Sequence, residues 1–386
     1  MMIKKKIPYS RQSISKLDIK EVIKTLKSDF LTSGPQVLKF EKEIQKYLKV
    51  KYAVCVNSAT SALHISCMVL GLKKKDEFWT STNSFVASAN CGEFCGAKLD
   101  LVDINLDDFN ISLEKLEKKL INKKSPKVVI PVHLAGYPCD LKKISFLGKK
   151  YNFKIIEDAS HAFGSEYIKS RIGSCKYSDI TVFSFHPVKI FTSGEGGVLV
   201  TNNKSYYEKA LMLRNHGITR DKKNYQNKKN NRIYYEQQIL GYNYRLSDLH
   251  ASLGLSQLKK IHIFNKLRSK IKKRYDQKLT KLPFLFPKYK NINFSNHLYI
   301  VLIDPTKTKK KRDSLMEFLN KKMITTSVHY IPIHKQPYYK KYNFLLNNFK
   351  NSNFYYDNAI SLPIFPYLTK EKQNYIIKCI EKFFQK

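Results

Sequence analysis

The sequence predicts an α/β protein with a large amino-terminal domain, residues 1–263, and a smaller carboxyl-terminal α+β domain, residues 264–386. Short apolar runs alternate with helical patterns between residues 52 and 201, which is typical of a mostly parallel sheet. Past residue 264 the chain continues as a separate set of strand and helix patterns. Its 386 residues are enough for two such domains.

Two helices are predicted before the first strand. Apolar residues recur at helical spacing from Ile19 to Leu26, which predicts a helix over residues 14–28. A Gly-Pro pair ends it, and a second helix follows over residues 36–48. The predicted strands of the sheet are 52–56, 77–80, 99–103, 127–132, 154–157, 179–185 and 197–201. Helices are expected between several of them, for example over 112–120 and 141–151.

The carboxyl-terminal half is predicted to begin after a polar loop. Residues 220–238 are rich in lysine and asparagine and are expected to form a long mobile loop. The elements expected after it are a helix over 246–261, a strand over 297–303, a helix over 314–322, a strand over 325–330 and a helix over 370–384.

Composition excludes several classes of protein. The formal net charge is +39, but the lysines are spread along the chain in short runs, so we predict no dedicated nucleic-acid binding. A positive potential would nevertheless attract an anionic substrate such as a nucleotide diphosphate. No apolar run reaches the roughly 20 residues that a membrane helix needs. The amino terminus lacks the apolar core of a signal peptide, which predicts a cytoplasmic protein.

The seven cysteines are predicted to be reduced thiols. Cys91 and Cys95 are four residues apart and could share a helix face. A metal site would need further ligands, and the nearest histidines, His64 and His133, are distant in sequence. We therefore predict no metal.

Lys189 is the first candidate for chemistry. It lies in the stretch SFHPVKIFTSGEGG, just past a predicted strand, between the apolar residues Val188 and Ile190. A lysine among apolar side chains can lose its proton near neutral pH and form a Schiff base with an aldehyde. The plainer interpretation is a surface lysine after a strand.

Residues 57–61, Asn-Ser-Ala-Thr-Ser, begin a helix directly after a strand. Small residues there let backbone N–H groups approach an anion, and the helix terminus adds roughly half a positive charge. Thr60 and Ser61 could add hydroxyl groups. The alternative is an ordinary capped start of a helix.

An acid and an aromatic residue follow two other predicted strands. Asp158 ends an apolar strand, where its carboxylate could hold the nitrogen of a bound pyridine ring protonated. It could equally cap the next helix. Phe85 could stack on a flat cofactor, or it could belong to the core. Because parallel strands present their carboxyl ends at one edge, these groups are expected to meet Lys189 there. Together they supply the functions that pyridoxal phosphate (PLP) needs.

At this level of detail the chain resembles the DegT/DnrJ/EryC1/StrS family of sugar-nucleotide aminotransferases, which have the PLP-dependent fold type I architecture of aspartate aminotransferase. The likeness spans nearly the whole chain. It rests on the following motifs: NSATSAL, SFVASAN, PVHLAGYPCD, EDASHAFGSEY, FSFHPVK followed by TSGEGG, RNHGI, GYNYRLSDLHASLGLSQL and VHYIPIHKQPYY.

The resemblance implies a role for each matching residue. Lys189 would carry the Schiff base and move the proton, and Asp158 would pair with the pyridine nitrogen. Phe85 and His161 would lie against the ring. The cofactor phosphate would be bound by Ala59, Thr60 and Ser184, and by Asn243 from the neighbouring subunit of a homodimer.

The resemblance also implies a sugar-nucleotide substrate. The matching positions are Tyr9, Asp29, Phe30, Leu31, Thr32, His329, Tyr330, Ile331, Pro332 and Tyr338. Residues 9–10, 295–299 and 329–338 are most similar to members acting on the route to pseudaminic acid. These would transfer an amino group from L-glutamate to a UDP-4-keto-6-deoxy-N-acetylhexosamine, and the 220–238 loop would fold over the diphosphate bound by the opposite subunit.

Three other interpretations belong to the same fold. The chain could aminate another nucleotide keto-sugar, of the bacillosamine, perosamine or 3-amino type. A sugar dehydratase is disfavoured because such relatives replace the Schiff-base lysine by histidine, whereas Lys189 stands here. A sensor or scaffold without catalysis is disfavoured by the joint presence of Lys189, Asp158 and Asn243.

Overall fold

The computed structural model describes residues 5–227, 233–290 and 292–385. Within these residues the helices are α1 Lys16–Leu26, α2 Pro35–Leu48, α3 Ala59–Val69, α4 Ala87–Glu93, α5 Leu113–Asn122, α6 Leu141–Tyr151, α7 Lys204–Arg214, α8 Asp248–Leu258, α9 Ile261–Leu279, α10 Arg312–Lys321, α11 Lys350–Asn358 and α12 Lys370–Gln385. None of the described helices is long and apolar enough to cross a membrane.

The strands within the same residues are β1 Tyr52–Val56, β2 Glu77–Ser81, β3 Lys98–Val102, β4 Val128–Ile130, β5 Lys154–Asp158, β6 Glu166–Tyr167, β7 Ser170–Arg171, β8 Ile180–Ser184, β9 Gly197–Thr201, β10 Ile218–Thr219, β11 Glu236–Gln237, β12 Phe284–Leu285, β13 Tyr299–Ile303 and β14 Ala359–Leu362. The predicted strands between residues 52 and 201 are thereby confirmed to within a few residues.

Seven of these strands form the central sheet, in the order β1-β9-β8-β5-β4-β2-β3. All run parallel except β9, which is antiparallel to both of its neighbours. The prediction of a mostly parallel α/β fold is therefore confirmed. Because β1, β2, β5 and β8 point the same way, the loops that follow them leave the same edge of the sheet.

The sheet is buried on both faces. In β1, Val54 packs with α3 on one side, whereas Ala53 and Cys55 face α2 and α8 on the other. This alternation follows from the two-residue period of a strand. Covering both faces fixes the sheet as a rigid platform for the loops at its edge.

The carboxyl-terminal elements surround a second, antiparallel sheet of order β12-β13-β14. A separate apolar cluster joins this sheet to α9, α10 and α12, and it includes Ile7 from the amino terminus. A bridge from Ile7 to Ile324 holds that terminus in place. The division at residue 263 stays a prediction, and the position falls inside α9.

The predicted strand over residues 325–330 is wrong. The segment makes only one isolated bridge there, from Ser327 to Ser361. Side chains hold the rest of it: the backbone N–H of Tyr330 donates to Asn83 Oδ1 (2.9 Å), and His329 Nδ1 lies 2.8 Å from Ser361 Oγ. His329 thus stays beside β14 through a side-chain contact, and no backbone ladder forms beyond the Ser327 bridge.

The expected loop over residues 220–238 is partly ordered where it is described. Its base is the antiparallel pair β10–β11. The Glu236 carboxylate accepts hydrogen bonds from the backbone N–H groups of Gln226 and Asn227, both at 2.7 Å. Residues 228–232 lie outside the described residues.

Helix α1 is confirmed, but its apolar stripe faces away from the body of the chain. Asp18 and Thr25 are its buried residues, and Asp18 accepts hydrogen bonds from Ser256 (2.6 Å) and Gln257 (2.8 Å) on α8. Ile19, Ile23 and other apolar side chains of α1 are about half exposed.

Candidate active site

The loops that leave the common edge of the sheet enclose a cavity of about 390 Å³. It brings together ten of the residues predicted from sequence: Tyr9, Ala59, Thr60, Phe85, Asp158, His161, Ser184, Lys189, His329 and Tyr330.

The start of α3 forms one wall of this cavity. Ser58 caps the helix by accepting a hydrogen bond from the Ser61 N–H (3.1 Å), so the capped start expected as an alternative is present as well. Gly197 lies against this turn, where a Cβ would come within 2.5 Å of the Ala59 nitrogen. Only glycine therefore lets β9 approach the free N–H groups of Ala59 and Thr60, which can bind a phosphate.

Asp158 ends β5 at the floor of the cavity and is buried. Its Oδ2 accepts a hydrogen bond from the Ser88 hydroxyl (2.5 Å), and its Oδ1 accepts one from the Ser160 N–H (3.1 Å). Ser88 Oγ is also 2.7 Å from Ser84 Oγ. Hydrogen bonds from two sides hold the carboxylate in one orientation.

Lys189 lies in the turn after β8, and its N–H donates to the carbonyl of His186 (2.9 Å). Part of the side chain faces the cavity, while protein surrounds the ammonium group. Burial lowers the pKa of Lys189 to about 8, against the opposing effect of the Asp158 charge. A large neutral fraction near pH 8 makes this amine a nucleophile and a base.

Aromatic and imidazole rings form the opposite wall. The Phe85 ring is about half exposed and lies 5.8 Å from the ring of Tyr330. His161 Nε2 is 2.9 Å from the Tyr330 hydroxyl, and its ring packs at a tilt of 39° against His297, with the ring centroids 4.4 Å apart. Burial, followed by the charge of Lys189, lowers the pKa of His161 well below its ordinary value, so this imidazole is neutral.

Tyr9 and His329 lie together on the side of the cavity formed by the amino and carboxyl termini. Their rings are 5.4 Å apart. Burial, together with the charge of Lys189, lowers the pKa of His329 to about 3. Burial likewise raises the pKa of Tyr9. Both side chains are therefore uncharged hydrogen-bonding groups at neutral pH.

Eight of the residues predicted from sequence do not line this cavity: Asp29, Phe30, Leu31, Thr32, Asn243, Ile331, Pro332 and Tyr338. Residues 29–32 form an exposed turn beside α8. Asn243 is exposed, and its backbone forms an isolated antiparallel bridge with Asn215. The Tyr338 hydroxyl donates to Glu93 Oε2 (3.1 Å) at the surface.

Sequence reasoning missed Ser88, Ser160 and His297. Ser88 follows Ser84 by one helical turn, which is a pattern for hydrogen bonding within a helix but says nothing of Asp158. His297 lines the cavity from the segment before β13, 136 residues after His161 along the chain. Ser160 is two residues from Asp158 and contacts it locally, whereas only the tertiary fold brings Ser88 and His297 to the site.

The residues present fit pyridoxal phosphate. His161 Nδ1 is buried and has no hydrogen-bond partner among the described residues. The space beside Gly197 leaves the first N–H groups of α3 open to a phosphate, and Asp158 and Lys189 lie in the same cavity. The described residues contain no group of metal-ligating side chains. Fold and site together define a PLP-dependent aminotransferase.

Comparison with known proteins places the chain more narrowly. The profile of the DegT/DnrJ/EryC1/StrS aminotransferase family matches residues 12–381, and the chain belongs to that family. It is a PLP-dependent sugar aminotransferase.

Named relatives cover almost the whole chain. The UDP-4-amino-4,6-dideoxy-N-acetyl-beta-L-altrosamine transaminase of Campylobacter jejuni is 39% identical over 92% of each chain. The structure of Helicobacter pylori PseC, an aminotransferase of pseudaminic acid biosynthesis, superposes with a TM-score of 0.90 at 32% identity, covering 99% of this chain and 100% of that one. The PLP form of a sugar aminotransferase from Streptococcus pneumoniae, Spr1654, superposes at 0.88 with 30% identity over 98% of this chain and 99% of the other.

Proposed function

We propose that this protein transfers the amino group of L-glutamate to a UDP-4-keto-6-deoxy-N-acetylhexosamine of the L-arabino configuration, giving the 4-amino sugar nucleotide used for pseudaminic acid. The observation that carries the proposal is the cavity in which Lys189 and Asp158 meet the start of α3. The likeness to the C. jejuni transaminase and to PseC supports the choice of sugar. The reduced cysteines support a cytoplasmic location.

In this proposal Lys189 does two things. Its neutral amine would hold the cofactor through the aldehyde, and the same Nζ would take the proton from the substrate carbon that carries the amino group. When bound, the cofactor supplies a ring that withdraws electrons from that carbon. The pKa of about 8 lets Lys189 Nζ accept and return a proton near neutral pH.

The remaining residues of the cavity bind and orient. Asp158, held by Ser88 and Ser160, places a carboxylate to keep the ring nitrogen protonated. The N–H groups of Ala59 and Thr60 and the hydroxyl of Ser184 are assigned to the phosphate. Phe85 and neutral His161 would lie against the ring and limit its contact with water, which would strengthen the electrostatic contacts inside.

The sugar nucleotide is assigned to the open side of the cavity. Tyr9, His329 and Tyr330 already line it. The exposed residues Asp29–Thr32, Ile331–Pro332 and Tyr338 would extend this surface. Asn243 would reach the phosphate bound by a partner subunit, since it lies outside its own cavity.

The exposed stripe of α1 supports a homodimer. Apolar side chains between 44% and 59% exposed occur just before α1, along it, in the turn after it and in α2: Ile14, Leu17, Ile19, Ile23, Leu26, Phe30, Leu31 and Leu38. A patch of this kind marks a protein interface more often than free surface. It adjoins the turn 29–32, so an interface here would bring a second chain close to the predicted substrate residues.

Turnover of a panel of keto-sugar nucleotides tests the substrate. With the purified protein, PLP and L-glutamate, we expect 2-oxoglutarate and an aminated sugar from the UDP-4-keto sugar of L-arabino configuration, and slower or no product from dTDP- and GDP-keto sugars. Product mass and sugar regiochemistry by NMR identify the carbon that is aminated. Absence of turnover with this UDP sugar would refute the narrow proposal.

A second measurement separates an enzyme from a non-catalytic binder. PLP added to the protein should give a visible absorbance band that is lost in Lys189→Ala and unchanged in Lys176→Ala. A protein that stays colourless with PLP would favour a sensor or scaffold.

The oligomer is tested by sedimentation. Ile23→Asp should convert a dimer to monomers and remove activity, because Asn243 then has no partner site. Ile121→Asp, at an exposed apolar residue of α5, is the matched control and should leave the dimer intact. A monomeric wild-type protein with full activity would contradict the assignment of Asn243.

A further inference from the structure

The proposed reaction brings the carboxylates of L-glutamate into the cavity, but few cationic side chains line it. Among the described residues of the lining, none is an arginine and Lys189 is the only lysine. Lys189 is already assigned to the cofactor aldehyde. The imidazoles of His161 and His329 are uncharged, because burial lowers the pKa of both. A carboxylate of the amino donor therefore needs a further hydrogen-bond donor in the same cavity.

His297 lines the cavity and has no part in the cofactor contacts assigned above. Only 2% of its surface is exposed. Its backbone N–H donates to the Ala135 carbonyl (2.9 Å), and its ring packs against that of His161 with the centroids 4.4 Å apart. The buried Nδ1 has no hydrogen-bond partner among the described residues. Leaving a buried polar nitrogen unpaired costs free energy, so this nitrogen indicates a ligand atom in the cavity.

Arg268 lies on α9 beside His297, outside the cavity lining, and is fully buried. Its Nη1 donates to the carbonyls of His297 (3.1 Å) and Ile364 (3.0 Å). Its Nε and Nη2 have no partner among the described residues. Burial lowers the pKa of Arg268 to about 9, so the guanidinium stays charged near neutral pH. A buried charge without a carboxylate to balance it is unfavourable, and an anion bound at His297 would offset it.

The two side chains supply different parts of an anion site. Burial, and then the basic side chains around it, lower the pKa of His297 well below its ordinary value, so its imidazole is neutral. A neutral imidazole can donate one N–H but adds no charge of its own. The N–H of His297 and the charge of Arg268 would thus supply separately what one arginine in the lining would supply together.

We propose that His297 binds a carboxylate of the amino donor through an imidazole N–H, and that Arg268 is a positioning residue that holds His297 and balances the charge. This inference rests on the proposed function, in which L-glutamate is the donor. The unpartnered Nδ1, the place of His297 in the lining and the unpaired guanidinium beside it carry the inference. His297 then serves the donor step and has no part in holding the sugar.

Isothermal titration calorimetry of the PLP-loaded protein with maleate, a dicarboxylate without an amino group, measures this site directly. His297→Leu keeps a side chain of similar size but removes the N–H, and it should weaken maleate binding about 10-fold or more. His297→Gln keeps an N–H donor and should recover part of the affinity. His262→Gln, at an exposed position of α9 outside the cavity lining, is the matched control and should bind maleate as the wild type does.

Two variants test Arg268 by the same titration. Arg268→Met removes the charge and should weaken maleate binding, whereas Arg268→Lys keeps a charge and should lose less affinity. The absorbance of bound PLP should stay unchanged in both, because Arg268 does not line the cavity. A thermal melting curve checks that each variant folds. Wild-type affinity for maleate in Arg268→Met would overturn the role of Arg268.

Single-turnover kinetics separate the donor step from the sugar step. His297→Leu should raise the L-glutamate concentration that gives the half-maximal rate. The same variant loaded with pyridoxamine phosphate should aminate the UDP-4-keto sugar at the wild-type rate. Equal slowing of both half-reactions, or unchanged maleate affinity in His297→Leu, would overturn the inference and leave the proposed function standing. A wild-type protein that neither binds maleate nor reacts with L-glutamate would overturn the assigned donor as well.

Discussion

The substitution Asp158→Asn isolates the charge that the cavity places on the cofactor ring. The fold should tolerate it, because Ser88 Oγ also contacts Ser84 Oγ at 2.7 Å and can turn to accept a hydrogen bond from the new amide. The amide cannot hold a proton on the ring nitrogen as a carboxylate does. A hydrogen bond to a charged group contributes about 1.5–3 kcal/mol, which corresponds to a loss of roughly 10- to 150-fold in rate.

Single-turnover kinetics measure this loss. The PLP-loaded protein is mixed with L-glutamate, and the change in cofactor absorbance gives the rate of the first half-reaction without the sugar. Ser88→Ala is the matched control: it removes one hydrogen bond from the carboxylate but keeps the charge, so its effect should be smaller. A thermal melting curve checks that both variants fold. The assignment of Asp158 to the ring nitrogen would be refuted if Asp158→Asn reacted at nearly the wild-type rate. It would also be refuted if Asp158→Asn lost less rate than Ser88→Ala.

Three further substitutions or conditions test the rest of the site. Lys189→Arg should fold and retain PLP without transaminating, because a guanidinium does not lose its proton near neutral pH; appreciable turnover would reassign the base. Capture of PLP by the apoprotein needs the neutral amine, so its rate should rise with pH and level off above about 8, the pKa of Lys189; a rate still rising at pH 10 would contradict that pKa. Gly197→Ala places a methyl group 2.5 Å from the Ala59 nitrogen and should weaken PLP binding in a titration, with Gly148→Ala on α6, outside the cavity lining, as the control.

The sequence predicted the sheet well because its strands are short apolar runs buried on both faces. Hydrophobic runs between polar turns leave few alternatives for β1 or β8. The segment 325–330, Thr-Thr-Ser-Val-His-Tyr, contains β-branched and aromatic residues but is mostly polar, and it did not form a strand. The Tyr330 N–H and the His329 side chain form hydrogen bonds with Asn83 and Ser361. A local sequence pattern does not predict partners that lie more than 30 residues away.

Helix α1 shows a different limit. The spacing of its apolar residues correctly predicted a helix, but these residues do not face the core of the chain. Asp18 is buried instead, because Ser256 and Gln257 on α8 satisfy its carboxylate. Periodicity predicts that a face is apolar, but not which neighbour covers it.

The sequence by itself determined the class of fold and indicated the cofactor. Thr60, Phe85, Asp158 and Lys189 follow from residue type near the ends of strands, whereas Tyr9, His329 and the other predicted residues that line the cavity came from the resemblance to the family. The tertiary structure decided which groups act on them: Ser88 holds Asp158, burial lowers the pKa of Lys189, and the His297 ring packs against that of His161. These contacts depend on how helices and loops distant in sequence pack together, and hydrogen bonds and pKa values respond to distances of a few ångströms that residue spacing does not record.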